Sequence, residues 1–218
     1  FGLDAPRGER EWGIARRRGG EAWLARGAQA LMPAGELPVA GMHNAANALA
    51  AGALCHAIGV ADAPITAALR AFRGLPHRVE KTAEFNGIAF YDDSKGTNVG
   101  STVAALNGFT QPVVLIAGGE GKGQDFGPLR APVARHARIV ILIGRDRESI
   151  AAVLDGCGVP LERAADMEQA VQKALAASRS GDAVLLSPAC ASRDMFRDYA
   201  HRGEAFAAAV HELMRSKE

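Results

Sequence analysis

The apolar and polar positions of this chain follow two regimes that meet near residue 75. Before that point, residues 11–16 and 22–26 are short apolar runs on either side of 17–21, which predicts a small hairpin. Residues 31–39 are rich in Pro and Gly and read as a connector. Residues 44–58 carry Ala and Leu at helical spacing and end at Gly59, a suitable C-cap. Asp62 and Pro64 open a second helix that runs to about Phe72. Gly74-Leu75-Pro76 then breaks the pattern, so a domain boundary is placed between residues 1–75 and 76–218.

Beyond the boundary the rhythm becomes strand–helix. Runs at 79–85 and 88–91 flank Asn86-Gly87, the strongest short hairpin signal. A helix is predicted over 98–107. Residues 113–117 are apolar without alternation, as in a strand buried on both faces. A strand at 138–143, helices at 147–154 and 167–178, a strand at 183–187 and an amphipathic helix at 203–214 complete the pattern. This alternation predicts an α/β fold: a doubly wound, mostly parallel sheet with helices on both faces. Ligands in such sheets bind beyond the carboxyl ends of the strands, which selects three loops, 92–98, 118–125 and 187–192.

Composition narrows the function classes. With 218 residues, 48% hydrophobic and 22% charged, the chain reads as soluble and globular. A net charge of +1 argues against a nucleic-acid partner, since phosphate neutralisation needs a clustered basic surface. The one basic cluster, Arg16-Arg17-Arg18, sits beside Gly19-Gly20 and reads as a solvated turn. Cys55, Cys157 and Cys190 are far apart and form no redox or metal pair, which fits reduced thiols and a cytoplasmic location. No apolar run is long enough to suggest a membrane partner. The chain opens on Phe1 and mid-pattern, so it is expected to be a piece of a longer polypeptide.

The three loops carry the candidate chemistry. In Tyr91-Asp92-Asp93-Ser94-Lys95-Gly96-Thr97-Asn98, strand alternation would set Asp93, Lys95 and Thr97 on one side of an extended segment, with Thr97 or Asn98 available as a helix cap. In Gly118-Gly119-Glu120-Gly121-Lys122-Gly123-Gln124-Asp125 neither dinucleotide nor phosphate-loop spacing is met, because Gln124 stands where a glycine is needed and Gly123 follows Lys122. What remains is a flexible glycine-rich loop holding a lysine that can meet a carboxylate. In Ser187-Pro188-Ala189-Cys190-Ala191-Ser192, Ser192 can cap a helix or bind an anion, and no nucleophile elbow surrounds either serine. Cys190 reads as a packed small residue. Upstream, Arg78 can hold a phosphate or stack on a base, and Asn44, near Asn47, can cap the first Ala-rich helix.

Five motifs in this order resemble Mur ligases: Gly41-Met42-His43-Asn44-Ala45-Ala46-Asn47, Leu75-Pro76-His77-Arg78-Val79-Glu80, Asp92-Asp93-Ser94-Lys95-Gly96-Thr97-Asn98, Gly118-Gly119-Glu120-Gly121-Lys122 and Leu186-Ser187-Pro188-Ala189-Cys190-Ala191-Ser192. The resemblance runs from about Gly41 onward and is strongest to the D-glutamate-adding members. It implies the end of a central ATP-binding α/β domain, residues 1–75, followed by a Rossmann-like C-terminal domain, residues 76–218, that brings the incoming amino acid. The phosphate loop and the metal-bridging lysine of the family lie in segments without a match here. ATP is therefore expected as a co-substrate, Mg2+ with its ligands outside this chain, and no activity from the chain alone.

The resemblance further implies nucleotide contacts from Asn47, Arg78 and Asp93, and a place for Asn44 at the UDP-sugar cleft. Thr97, Lys122 and Ser192 match positions that hold D-glutamate, with Arg193 and Tyr199 beside them. Lys95 and His77 are the catalytic candidates. Tyr199 stands where the family typically has Phe, and Arg193 where an apolar residue is common. The implied reaction joins D-glutamate to UDP-N-acetylmuramoyl-L-alanine through an acyl phosphate, in peptidoglycan precursor synthesis. A folate-type glutamate ligase, a nicotinamide-dependent oxidoreductase domain and a non-catalytic interaction module are the alternatives.

Overall fold

A computed structural model describes residues 1–17, 19–39 and 42–217, and of His43 the backbone alone. Arg18 of the basic cluster and Gly41 of the first motif lie outside the described residues. The chain divides into two compact units, Phe1–Gly74 and Leu75–Glu218.

The first unit is a three-stranded antiparallel sheet, β1 (Trp12–Arg16), β2 (Ala22–Arg26) and β3 (Gln29–Pro33), with two helices, α1 (Met42–Ala57) and α2 (Asp62–Ala71). Part of the expected connector is thus a strand. Its Met32 is fully buried, and the tight turn before it uses Gly27 at φ +54° rather than an Asn-Gly pair. Trp12, Ile14, Leu24, Met32, Leu49 and Ile65 form the core of this unit. Gly52 of α1 is required there, because a Cβ would overlap the Trp12 ring.

The second unit holds a six-stranded sheet of order β4-β5-β9-β6-β7-β8. Its strands are β4 (Glu80–Phe85), β5 (Ile88–Asp92), β6 (Val113–Gly118), β7 (Ala137–Ile143), β8 (Leu161–Arg163) and β9 (Ala183–Leu186). Every neighbouring pair is parallel except the β4–β5 hairpin. Asn86 and Gly87 close that hairpin at φ +51° and +74°, the signs a type I′ turn demands. The helices are α3 (Val99–Leu106), α4 (Arg130–His136), α5 (Arg147–Leu154), α6 (Met167–Ala177) and α7 (Tyr199–Arg215).

The unbroken apolar run of β6 now has its reason. Val113, Leu115 and Ala117 join Leu106, Val133 and Ile150 on one face, while Val114 and Ile116 join Val171 and Phe206 on the other. Helices therefore cover both faces of the sheet. The last helix starts four residues earlier than expected, because the Asp198 carboxylate caps it by accepting from the His201 amide at 2.8 Å.

The order matters for function. β9 enters between β5 and β6, so the loops after these three strands are neighbours at the carboxyl edge, where the winding of the sheet reverses.

Candidate functional site

The first loop is a turn, not the extended segment that alternation suggested. Asp92 ends β5, its carboxylate accepting from the Ser94 amide at 2.8 Å. The Gly96 amide then returns to the Asp93 carbonyl, the Thr97 amide to the Lys95 carbonyl, and the Lys95 amide to the His77 carbonyl. These bonds fold the segment, so Asp93, Lys95 and Thr97 point to different surroundings. Asp93 is 6% exposed and lies 2.7 Å from the Ser187 hydroxyl. Lys95 sets its ammonium 3.7 Å over the Tyr199 ring centroid. Thr97 stays half-exposed before Asn98, whose side chain caps α3 by accepting from the Ser101 amide.

Burial is the main force on the Asp93 carboxyl, raising its pKa to about 6. The Ser187 hydroxyl and the Val79 amide pull the other way, neighbouring Asp92 raises it further, and Arg78 lowers it.

The glycine-rich loop is pinned rather than flexible. Glu120 and Ala191 exchange two backbone hydrogen bonds of 2.9 Å, the Gly118 amide donates to the Pro188 carbonyl, and the Gly121 amide meets the Asp146 carboxylate at 2.6 Å. Gly118 is at φ +124°, where a Cβ would overlap the Ile143 carbonyl. The glycines thus serve close backbone approach. Lys122 sits at the exposed tip at φ +54°, with no hydrogen bond or ion pair among the described residues.

In the third loop, Ser192 caps no helix. Its carbonyl accepts the Met195 and Phe196 amides, closing a single turn, while Asp194 is drawn to the Arg145 amide at 2.8 Å. Ser192 is 4% exposed, whereas Arg193 is exposed. Cys190 is fully buried and its thiol is pushed up to about 12 by burial, which makes it a packed and unreactive group.

His77 and Arg78 precede β4. The His77 ring nitrogen Nδ1 lies 2.7 Å from Asp92 Oδ2, and its amide donates to the Glu80 carboxylate at 3.0 Å. Arg78 is exposed. His77, Glu80 and Asp92 gather three potential metal donors within 4.8 Å of one another. They do not fit Mg2+, which needs an open set of oxygen ligands. One donor is an imidazole, and Asp92 is 2% exposed with both oxygens already engaged.

One residue escaped the sequence reading. Arg202 of α7 is 1% exposed and donates to the Ser94 hydroxyl, the Ser94 carbonyl and the Cys190 carbonyl at 2.9, 2.9 and 3.1 Å. It ties two of the three loops to one helix. Its signal was an arginine four residues before Phe206, on the stripe that also holds Ala209 and Val210.

The second unit thus gathers His77, Arg78, Asp93, Lys95, Thr97, Lys122, Ser192, Arg193 and Tyr199 on the segments at its carboxyl edge or packed against them. Asn44 and Asn47 belong to the first unit, one turn apart on α1, with Asn47 Nδ2 3.5 Å from Asn44 Oδ1.

A Rossmann-like sheet with its polar groups on the loops after β5, β6 and β9 defines a doubly wound α/β domain with a candidate site at its carboxyl edge. The chain belongs to the Mur ligase family: the model described as "Mur ligase, glutamate ligase domain" matches residues 77–190. It is 59% identical over 217 residues to the UDP-N-acetylmuramoylalanine–D-glutamate ligase of Nitrosospira multiformis, covering 100% of this chain and 46% of that protein. It is 58% identical to the ligase of the same name from Methylobacillus flagellatus, covering 100% of this chain and 48% of the relative. The chain therefore spans about half the length of the curated relatives it matches. The crystal structure of UDP-N-acetylmuramate-alanine ligase from Thermotoga maritima shares the fold, with a TM-score of 0.68 at 19% identity over 95% of this chain and 46% of that one.

Proposed function

We propose that this chain is the amino-acid-presenting part of an ATP-dependent ligase that joins D-glutamate to UDP-N-acetylmuramoyl-L-alanine. The observation that carries the reading is the mutual locking of the loops bearing Thr97, Lys122 and Ser192, with the Lys122 ammonium left unpaired among the described residues. A dicarboxylate amino acid needs a cation and hydroxyl donors at fixed separation, and these loops offer both. The name carried by relatives of 58–59% identity supports the same substrate.

The chemistry follows from charge. ATP converts the muramoyl-alanine carboxylate to an acyl phosphate, the D-glutamate amine attacks its carbonyl carbon, and phosphate leaves. Thr97, Lys122 and Ser192 hold the carboxylates and so aim the amine. Tyr199 packs beside the amino acid and holds Lys95 by its ring face, while Lys95 steadies negative charge between the two ligands. Arg78, Asp93 and Asn47 serve the nucleotide, Asn44 the UDP-sugar cleft, and Arg193 offers its backbone amide. His77, bonded to Asp92, acts by orienting the turn that carries Lys95.

Mg2+ supplies charge neutralisation at the phosphates when bound, with ligands outside this chain. Residues 1–75 are the end of the ATP-binding domain in this reading, and the whole protein works in the cytoplasm. No helix among the described residues is long and apolar enough to cross a membrane. The test is ADP release by the full-length protein: it should require UDP-N-acetylmuramoyl-L-alanine and D-glutamate together. Equal release with D-glutamate omitted would refute the reading.

A further inference from the structure

We propose that Gln124 is a positioning residue that fixes Thr97, Lys122 and Ser192 relative to one another, an inference that rests on the function proposed above. Its carboxamide spans all three loops. Gln124 Oε1 accepts from the Val99 amide at 3.0 Å, and Nε2 donates to the Ala189 carbonyl at 2.7 Å. Val99 lies two residues after Thr97 and opens α3, Ala189 lies three before Ser192, and Gln124 itself lies two after Lys122.

The partners dictate the chemistry. Val99 offers a donor and Ala189 an acceptor, so the bridging side chain must present an acceptor and a donor at once. A carboxamide does this and a carboxylate cannot. The Val99 amide is also one of the unpaired donors of a helix start, so the bridge satisfies a group the helix cannot.

Both neighbouring backbones are strained. Ala189 holds φ +58°, with its amide on the Gly96 carbonyl and its own carbonyl on Gln124. Lys122 and Gly123 hold φ +54° and +72° in a turn closed by the Gln124 amide on the Gly121 carbonyl at 3.2 Å. Non-glycine residues persist in this region only when surrounding bonds over-determine them. Removing the Gln124 bridge leaves the Glu120–Ala191 pair and the Gly96–Ala189 bond in place but cuts the one side chain that joins both turns to the start of α3, which loosens Lys122 and Ser192 relative to Thr97.

The test compares full-length protein carrying Gln124 with the variants Gln124→Met, which keeps the volume and loses both bonds, and Gln124→Glu, which keeps the acceptor and loses the donor. D-glutamate is titrated at saturating ATP and UDP-N-acetylmuramoyl-L-alanine, melting temperature is recorded, and amide exchange at Val99 is followed without ligand. Both variants should raise KM for D-glutamate about tenfold, the scale of one or two lost hydrogen bonds. They should change kcat less than about threefold and leave KM for ATP unchanged, and Gln124→Met, which removes the acceptor of the Val99 amide, should speed Val99 exchange.

An unchanged KM for D-glutamate in both variants overturns the proposal. So does a parallel fall in kcat and melting temperature with a rise in every KM, which would mark a merely structural role. If the protein with Gln124 intact does not use D-glutamate, the functional reading fails and exchange decides alone. Faster exchange at Val99 in Gln124→Met then upholds the bridge, and unchanged exchange overturns it.

Discussion

The Arg202 guanidinium donates to both the hydroxyl and the carbonyl of Ser94, each at 2.9 Å, across 108 residues of chain. Among the described residues no carboxylate pairs with this buried charge; three oxygens answer it, the third being the Cys190 carbonyl. Burial lowers its pKa to about 10, which leaves it charged at neutral pH. Through α7 it couples the turn holding Lys95 to the loop leading to Ser192.

Arg202→Ala should therefore destabilise the chain by about 3 kcal/mol, since it takes the guanidinium donors from the buried Ser94 and Cys190 carbonyls. Arg202→Lys, which keeps the charge and loses the fork, should cost roughly half as much. Urea unfolding measures both. A loss below about 1 kcal/mol for Arg202→Ala would contradict this role.

Asp93 makes a prediction with a fixed sign. Its folded pKa is raised, to about 6 from 3.8, so the protonated form is the one the fold favours. Its contribution to stability is full below the unfolded value and is lost as pH rises through the folded one. Asp93→Asn removes that titration. The stability of the native chain minus that of Asp93→Asn should fall between pH 4 and pH 6.5, by about 3 kcal/mol at most. A constant difference across that window would show that Asp93 does not titrate there.

Gly203 is the contact surface that lets α7 lie on the His77–Asp92 pair. A Cβ at this position would overlap His77 Nδ1 and Asp92 Oδ2. Gly203→Ala should cost about 1–3 kcal/mol despite the better helix propensity of alanine, because overpacking outweighs it. Thermal unfolding checks this, and a stabilised variant would mean the pair is not held as described.

Much of this architecture was legible in the chain. Asn86-Gly87 announced its hairpin, and the apolar runs of β6, β7 and β9 announced strands covered on both faces. Their order let the switch-point rule pick three loops that the fold brings together at the carboxyl edge. What failed has physical reasons. β8 is three residues long, with Glu162 and Arg163 exposed, so it carries no apolar pattern. α4 is seven residues with Pro132 near its start, a helix set by packing of Val133 rather than by propensity. The turn at 92–98 joins local bonds to anchors on the distant His77 and Leu186 carbonyls, and no local pattern reveals those anchors. Gln124 looked like a failed glycine in a dinucleotide loop, and its role appeared only when Val99 and Ala189 came into reach.

Lys122 separates binding from stability most cleanly. It is exposed and without hydrogen bonds or ion pairs among the described residues, so Lys122→Ala should leave the melting temperature within about 2 °C of the parent, as for surface substitutions of small effect. The most direct test of the proposed function is the D-glutamate dependence of ADP release in full-length protein carrying that substitution. The reading predicts a KM for D-glutamate raised about 100-fold, the scale of one lost charge-assisted contact to a carboxylate. A KM equal to that of the unsubstituted protein would contradict it.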